Sequence, residues 1–229
     1  MKIGVLGTGM VGRSLSGKLS EVGHSVVVGT RDVTELLART ESTMGGRVGP
    51  FAEWHRENPD VKVDTFAGAA AHGEVVFNAT AGAAALEVLR AAGESNLEDK
   101  VLVDVSNPIG SSGGGGLPTL FVSNTDSLAE QIQREFPRAK VVKTLNTMNA
   151  SVMVDPQKLG GGDHHVFVGG DDASAKEKVI ELLREGFGWQ HIIDLGDITT
   201  ARGTEMFLSL WLRLMQARGT AAFNVKIVG

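Results

Sequence analysis

The chain has 229 residues and a mass of 24.1 kDa, enough for one full α/β domain or a nucleotide domain with a small appendage, and too little for two large domains. Its 22 Lys plus Arg stand against 27 Asp plus Glu, a formal charge of −5, which excludes a general attraction to nucleic acid or an anionic membrane. The absence of Cys excludes disulfides, thiol catalysis and thiolate metal sites and fits a reducing compartment.

Met1 leads straight into the strand-like KIGVLG with no signal-peptide pattern. The uncharged run 105 to 125 is rich in Gly, Ser, Asn and Pro, unlike a membrane span. A soluble, cytoplasmic protein is expected. Short β-branched runs predict strands near 2–6, 25–29, 62–66, 74–78, 100–104, 140–143, 165–168 and 191–194. Helical periods predict helices near 10–22, 33–42, 83–92, 126–135, 172–185 and 200–218. The alternation is that of an α/β fold, a Rossmann-type doubly wound parallel sheet with a small C-terminal α/β lobe. Residues 1–150 read as the nucleotide-binding domain and 151–229 as the small lobe. Residues 44–61 read as an insertion pinned to the body by Phe51 and Trp54, and the PIGSSGGGGLP stretch at 108–118 as a surface loop or a flap over a ligand.

VLGTGMVG sets Gly7, Gly9 and Gly12 in the GxGxxG spacing between a strand and a helix. The spacing alone is weak, but this context completes a dinucleotide-binding turn: a tight turn at Gly7, room for pyrophosphate at Gly9, close helix packing at Gly12. Thr8, Met10 and Val11 line the cradle, where helix N-terminal amides face phosphate. An NAD site places Asp or Glu about 20 residues after the fingerprint. Here Thr30 ends the second strand and Arg31 follows. A hydroxyl and a guanidinium suit the 2′-phosphate of NADP, which a carboxylate repels. Asp32, with Glu35 three residues on, reads as a helix N-cap.

In an open α/β sheet the ligand lies beyond the carboxyl ends of the strands. Three segments fall there: Asn78, Ala79 and Thr80; Ser106, Asn107 and Pro108; and Asn146, Thr147, Met148 and Asn149. Their small neutral groups suit a nicotinamide and a second ring. With no Tyr in the chain, a Tyr/Lys proton relay is impossible. The six His form no metal pattern, and His164 and His165 fall on opposite faces of a strand. Lys143, before the third loop, is a candidate proton donor but reads rather as a solvated charge ending a strand. No general acid or base stands out, which is coherent for hydride transfer to a flavin-like ring, where alignment does most of the work. The last helix is apolar nearly all round, which predicts burial in this chain or against a partner, with Met206, Trp211 and Met215 as core or interface rather than ligand wall.

KIGVLGTGMVG, GTRD, FNAT, VDVSNP, KVVKTLNTMNA and GDITTARGTEMFLSLWLRL together resemble the NADP-dependent oxidoreductases of the deazaflavin coenzyme F420, over essentially the whole chain. The resemblance implies a homodimer that binds NADP(H) and takes coenzyme F420 as hydride partner in a cleft between the two lobes. It implies Gly7 to Gly12 at the pyrophosphate, Thr30 and Arg31 at the 2′-phosphate, Asn78 to Thr80 and Asn107 to Pro108 at the nicotinamide, and Asn146 to Met148 beside the second ring. Alternatives are reduction of flavin, ferric chelate or another small acceptor by the same scaffold, and a non-catalytic NADPH-binding sensor. The 44–61 insertion and the polyglycine loop depart from the compact family pattern.

Overall fold

The computed structural model describes residues 1–42, 48–110 and 116–229. The glycine-rich centre of the 108–118 stretch and the first part of the 44–61 insertion lie outside the described residues.

Eight strands, β1 (Lys2–Leu6), β2 (Ser25–Thr30), β3 (Lys62–Thr65), β4 (Val75–Asn78), β5 (Val101–Asp104), β6 (Lys140–Thr144), β7 (His165–Gly169) and β8 (His191–Asp194), form one sheet in the order β3-β2-β1-β4-β5-β6-β7-β8. The strands β3 to β6 in this order pair in parallel, β7 runs antiparallel to β6, and β8 is parallel to β7. The order reverses between β1 and β4, the switch point where dinucleotides bind in doubly wound sheets. The sheet continues across residue 150, because the C-terminal segment adds β7 and β8 to its edge.

The inner strands read as continuous apolar runs because helices cover both faces. On one face lie α1 (Met10–Glu21), α2 (Val33–Ala38), α3 (Phe51–Glu57), α7 (Ala150–Val154) and α8 (Ala173–Glu181), burying Leu15, Leu19, Leu36, Phe51, Val152 and Val179 against Ile3, Val5 and Val28. On the other lie α4 (Phe66–His72), α5 (Ala85–Ala92), α6 (Leu128–Glu135) and the start of α9 (Ala201–Arg218), packed on Leu6, Val27, Val76 and Leu102. Phe51 is in the core and Trp54 packs against it, so α3 anchors the 44–61 segment as its aromatics suggest. Asp32 caps α2, accepting from the Glu35 amide at 2.9 Å.

Three short helices, α3, α4 and α7, are additions to the predicted set. The last helix is covered by this chain only in part. This chain buries Ala201, Thr204, Glu205 and Leu208 in its first half, while Met206 and Leu210 remain 38% and 54% exposed. Trp211 stacks at 5.3 Å on Phe223 of the C-terminal tail, which folds back along the helix. The apolar periphery of α9 is therefore not absorbed by its own fold.

Candidate functional site

The fingerprint turn has the geometry its glycines dictate. Gly7 adopts φ +121°, a region L side chains rarely enter. Gly12 is fixed by close approach, since a Cβ there would sit 2.0 Å from the Gly7 carbonyl oxygen. A Cβ on Gly9 would meet nothing within 4 Å, so the turn is open at this point. Gly9 is also the N-cap of α1, and among the described residues no side chain caps this helix and no acidic residue stands in its first turn. The leading amides are left for an anion, aided by the helix dipole. Met10 is exposed, while Thr8 and Val11 are half-buried.

Arg13 is a contributor that sequence reasoning missed. Its Nε donates to the Thr8 carbonyl at 2.9 Å, its Nη1 to the Gly49 carbonyl at 2.8 Å, and its guanidinium lies 5.3 Å from the Phe51 ring centre. It ties the segment before α3 to the fingerprint turn and brings a cation beside it. Burial lowers its pKa from the usual value. A recess of about 60 Å³ here is lined by Thr8, Gly9, Arg13, Leu36, Arg39, Glu41 and Phe51.

At the end of β2, Thr30 is buried and Arg31 is exposed. Arg31 Nη2 donates to Glu87 Oε1 of α5 at 3.0 Å, with the two side chains 75% and 69% exposed. The pair flanks a recess of about 130 Å³ lined by Thr30, Arg31, Thr65, Phe66, Glu87 and Val88. Exposed ion pairs of this kind contribute about 0–1 kcal/mol, so the Arg31–Glu87 pair costs little to break.

The remaining segments line up along one sheet end, because β1, β4, β5 and β6 are neighbours in that order. Asn78 ends β4 fully buried. Its Nδ2 donates to Asp104 Oδ1 at 2.8 Å, and its Oδ1 accepts from Thr80 Oγ1 at 2.6 Å. The Asn78 side chain is thus spent inside the protein, and Ala79 and Thr80 are the half-buried part of that loop. Ser106 directs its amide (3.2 Å) and hydroxyl (2.7 Å) to Asp104 Oδ1. Asn107 is half-buried, whereas Pro108 and Asn146 are buried. Asn107 Nδ2 donates to the Asn146 carbonyl, and Asn146 Nδ2 donates to Asn107 Oδ1. Leu145, buried at φ +62°, makes the turn that presents Asn146. Such strain in a bulky residue persists only where its surroundings over-determine it. Thr147 is buried, and Met148 lies in the core cluster rather than on a ligand-facing surface. Asn149 caps α7, its Oδ1 accepting from the Ser151 and Val152 amides.

Lys143 overturns the expectation of a solvated charge. It is completely buried, with Nζ 2.6 Å from Asp104 Oδ2, 2.9 Å from Glu205 Oε1 and 2.6 Å from the Ser106 carbonyl. Burial pushes its pKa down, but Asp104 and Glu205 outweigh that and raise it, so the ammonium stays charged. The sequence carries a signal for this cluster: Asp104 and Lys143 each interrupt an apolar inner-strand run, VLVD and VVKT, where a charge must find a partner. Among the described residues no group of His, Cys, Asp or Glu can hold a metal ion, and no helix is long and apolar enough to cross a membrane.

The switch point, the open glycine turn and the basic corner after β2 define a Rossmann-type dinucleotide-dependent oxidoreductase. Residues 2–108 match the model of a family described as NADP oxidoreductase, coenzyme F420-dependent. The F420-dependent NADP reductase of Methanothermobacter marburgensis is 30% identical over 217 residues, covering 93% of this chain and 92% of that protein. A crystal structure from Arthrobacter sp. FB24, described as a candidate F420-dependent NADP reductase, superposes with a TM-score of 0.95 at 56% identity over 100% of both chains. The metalloreductase STEAP3 of Rattus norvegicus is 31% identical over 206 residues, 89% of this chain and 36% of that protein. The chain belongs to the coenzyme F420-dependent NADP oxidoreductase family.

Proposed function

We propose that this protein exchanges a hydride directly between NADP(H) and the deazaflavin ring of coenzyme F420, with residues 1–150 as the NADP-binding domain and 151–229 as a substrate and dimerisation lobe. The observation that carries the reading is the conjunction at one sheet end of an open glycine turn, a buried hydroxyl and a weakly paired guanidinium at the end of β2, and loops of neutral groups. Reduced nicotinamide supplies the hydride and the deazaflavin ring, once bound, accepts it.

The chain's own residues bind and orient. Gly7, Thr8, Gly9, Met10, Val11 and Gly12 receive the pyrophosphate on the amides of α1. Thr30 and Arg31 receive the 2′-phosphate. The Ala79–Thr80 and Asn107–Pro108 loops seat the nicotinamide, and Asn146 borders the acceptor. Lys143, three residues before Asn146, has all three of its N–H donors engaged internally, which supports alignment rather than proton transfer as the protein's contribution. The unabsorbed apolar flank of α9, with Met206 and Leu210, supports a homodimer. A cytoplasmic site of action completes the reading.

The test is anaerobic mixing with NADPH and oxidised coenzyme F420, following deazaflavin absorbance, with FMN and FAD in parallel. Saturable bleaching of the deazaflavin alone is expected. Turnover of FMN or FAD with an inert deazaflavin assigns the second reading, reduction of a flavin or ferric acceptor, which the 31% identity to a metalloreductase favours.

A further inference from the structure

The cluster around Lys143 has no place in binding either ring, yet it is the most heavily charged part of the interior. Lys143 on β6, Asp104 at the end of β5 and Glu205 on α9 are all buried. One cation faces two carboxylates, a residual charge of −1 that must be answered by dipoles. Glu205 Oε2 accepts from the Leu128 amide at 2.8 Å and Oε1 from the Ala129 amide at 3.1 Å, so the positive end of α6 supplies the answer. Asp104 Oδ1 takes Asn78 Nδ2 and both donors of Ser106. Lys143 closes the circuit, donating to Asp104, Glu205 and the Ser106 carbonyl. Every donor and acceptor is paired, the condition under which a buried polar network rigidifies its surroundings.

The network joins parts that lie far apart in sequence: the loops after β4 and β5, the start of α6 and the first turns of α9. One turn before Glu205, Arg202 makes a two-pronged contact with Glu130 of α6, Nε to Oε2 at 2.9 Å and Nη2 to Oε1 at 2.5 Å. α9 therefore grips α6 with an exposed-side cation and a buried carboxylate on one face. The position of α9 is transmitted through Glu205 and Lys143 to Asp104, which sets Asn78 and Ser106.

We propose that Lys143 is a positioning residue, which with Asp104 and Glu205 locks the Asn78–Thr80 and Ser106–Pro108 loops to α9 and so fixes the nicotinamide for hydride transfer. The inference rests on the assignment of those loops to the nicotinamide made above. The phosphate contacts lie at the other end of the cofactor, on the α1 turn and Arg31, so the network governs alignment and leaves affinity to them.

The test compares wild type with Lys143→Met and Glu205→Gln, both checked for folding by circular dichroism. The Gln variant keeps one acceptor oxygen for the α6 amides and weakens the grip on Lys143. NADPH is titrated without acceptor, reading its dissociation constant and the rise in reduced-nicotinamide fluorescence that immobilisation brings. Turnover with coenzyme F420 follows. For Lys143→Met, dissociation constant and KM for NADPH should stay within about threefold, the bound fluorescence should fall toward that of free NADPH, and kcat should drop about 10- to 100-fold, the scale of a misalignment near 1 Å. Glu205→Gln should move the same way by less, and decides the matter if Lys143→Met does not fold. Folded variants with lowered thermal midpoints but wild-type kcat and bound fluorescence would show the cluster to be purely structural and overturn the inference. A wild type that binds NADPH with no fluorescence rise would instead overturn the nicotinamide assignment itself, and this inference with it.

Discussion

Asn107 and Asn146, 39 residues apart, exchange hydrogen bonds in both directions: Asn107 Nδ2 to the Asn146 carbonyl at 2.8 Å, and Asn146 Nδ2 to Asn107 Oδ1 at 3.0 Å. The exchange clamps the loop after β5 to the loop after β6, the two loops proposed to seat the nicotinamide and its acceptor. Asn107→Ala deletes one donor and one acceptor and leaves a partly buried amide and carbonyl unpaired, a cost of about 1–3 kcal/mol. The expected result is a kcat for deazaflavin reduction lowered at least about 10-fold, with KM for NADPH within threefold. Equal loss in KM and none in kcat would place Asn107 in cofactor affinity instead.

Arg31 is held by Glu87 in an exposed pair, and the proposed function gives it the 2′-phosphate as its partner in the complex. Arg31→Ala should raise KM for NADPH by roughly 10- to 100-fold, the worth of a charge-assisted contact, and leave that for NADH almost unchanged. Glu87→Gln should do the opposite, lowering KM for NADPH by up to about fivefold, since the pair it breaks is worth about 0–1 kcal/mol. Steady-state kinetics with both cofactors separates these outcomes, and an equal response of NADPH and NADH to Arg31→Ala would remove the residue from the 2′-phosphate site.

Gly9 and Gly12 should respond to the same substitution differently. A Cβ at Gly12 collides with backbone at 2.0 Å, whereas one at Gly9 meets open space. Gly12→Ala is expected to destabilise the apo protein by about 1–3 kcal/mol, as overpacking does. In a chain of this size that is roughly 2–4 °C of Tm per kcal/mol. Gly9→Ala should leave the apo Tm unchanged yet abolish the stabilisation that NADPH confers, because the methyl occupies the space kept for pyrophosphate. Thermal shift with and without NADPH reads both.

All eight strands were legible because each is a short β-branched run, and Asp32 was legible as a cap from its spacing to Glu35. Helix α4 was not, for a packing reason. FAGAAAH lies so close to the sheet that a Cβ on Gly4 would stand 2.3 Å from the Ala69 carbonyl oxygen, so its buried face is made of alanines that give little hydrophobic period. The five residues of α7 are too few for a period, and α3 falls inside the stretch read as an insertion. In the site, the fingerprint and the order of the loops followed from local spacing. Burial of Asn78, Lys143 and Met148 did not, because partners such as Asp104 and Glu205 are brought in by sheet order and by α9 from 39 and 62 positions away from Lys143.

The exposed flank of α9 makes oligomeric state a sharp readout. Leu210 is 54% exposed on a helix whose other apolar residues this chain only partly covers. If that flank is the homodimer seam, Leu210→Glu places a charge in a buried apolar contact and should shift the sedimentation coefficient from dimer to monomer at micromolar concentration without changing the circular dichroism spectrum. A dimer that persists in the variant would move the interface elsewhere.

Asp172 caps α8, accepting from the Ser174 hydroxyl at 2.6 Å and the Ala175 amide at 2.8 Å, with Lys140 at 3.1 Å. These contacts, the Ser174 and Ala175 hydrogen bonds foremost, lower its pKa from 3.8 to about 2. A carboxyl whose pKa is depressed by folding contributes stability that is fully present above its unfolded value and is lost as pH falls through the folded one. Asp172→Asn keeps a good N-cap and removes only the charge. The variant should therefore be less stable than wild type at neutral pH, and the difference should shrink between about pH 4 and pH 2 until the two coincide. Urea midpoints measured across that range test the sign: a gap that stays constant with pH would mean that the carboxylate contributes nothing beyond the cap, and a gap that widens on acidification would reverse the assignment.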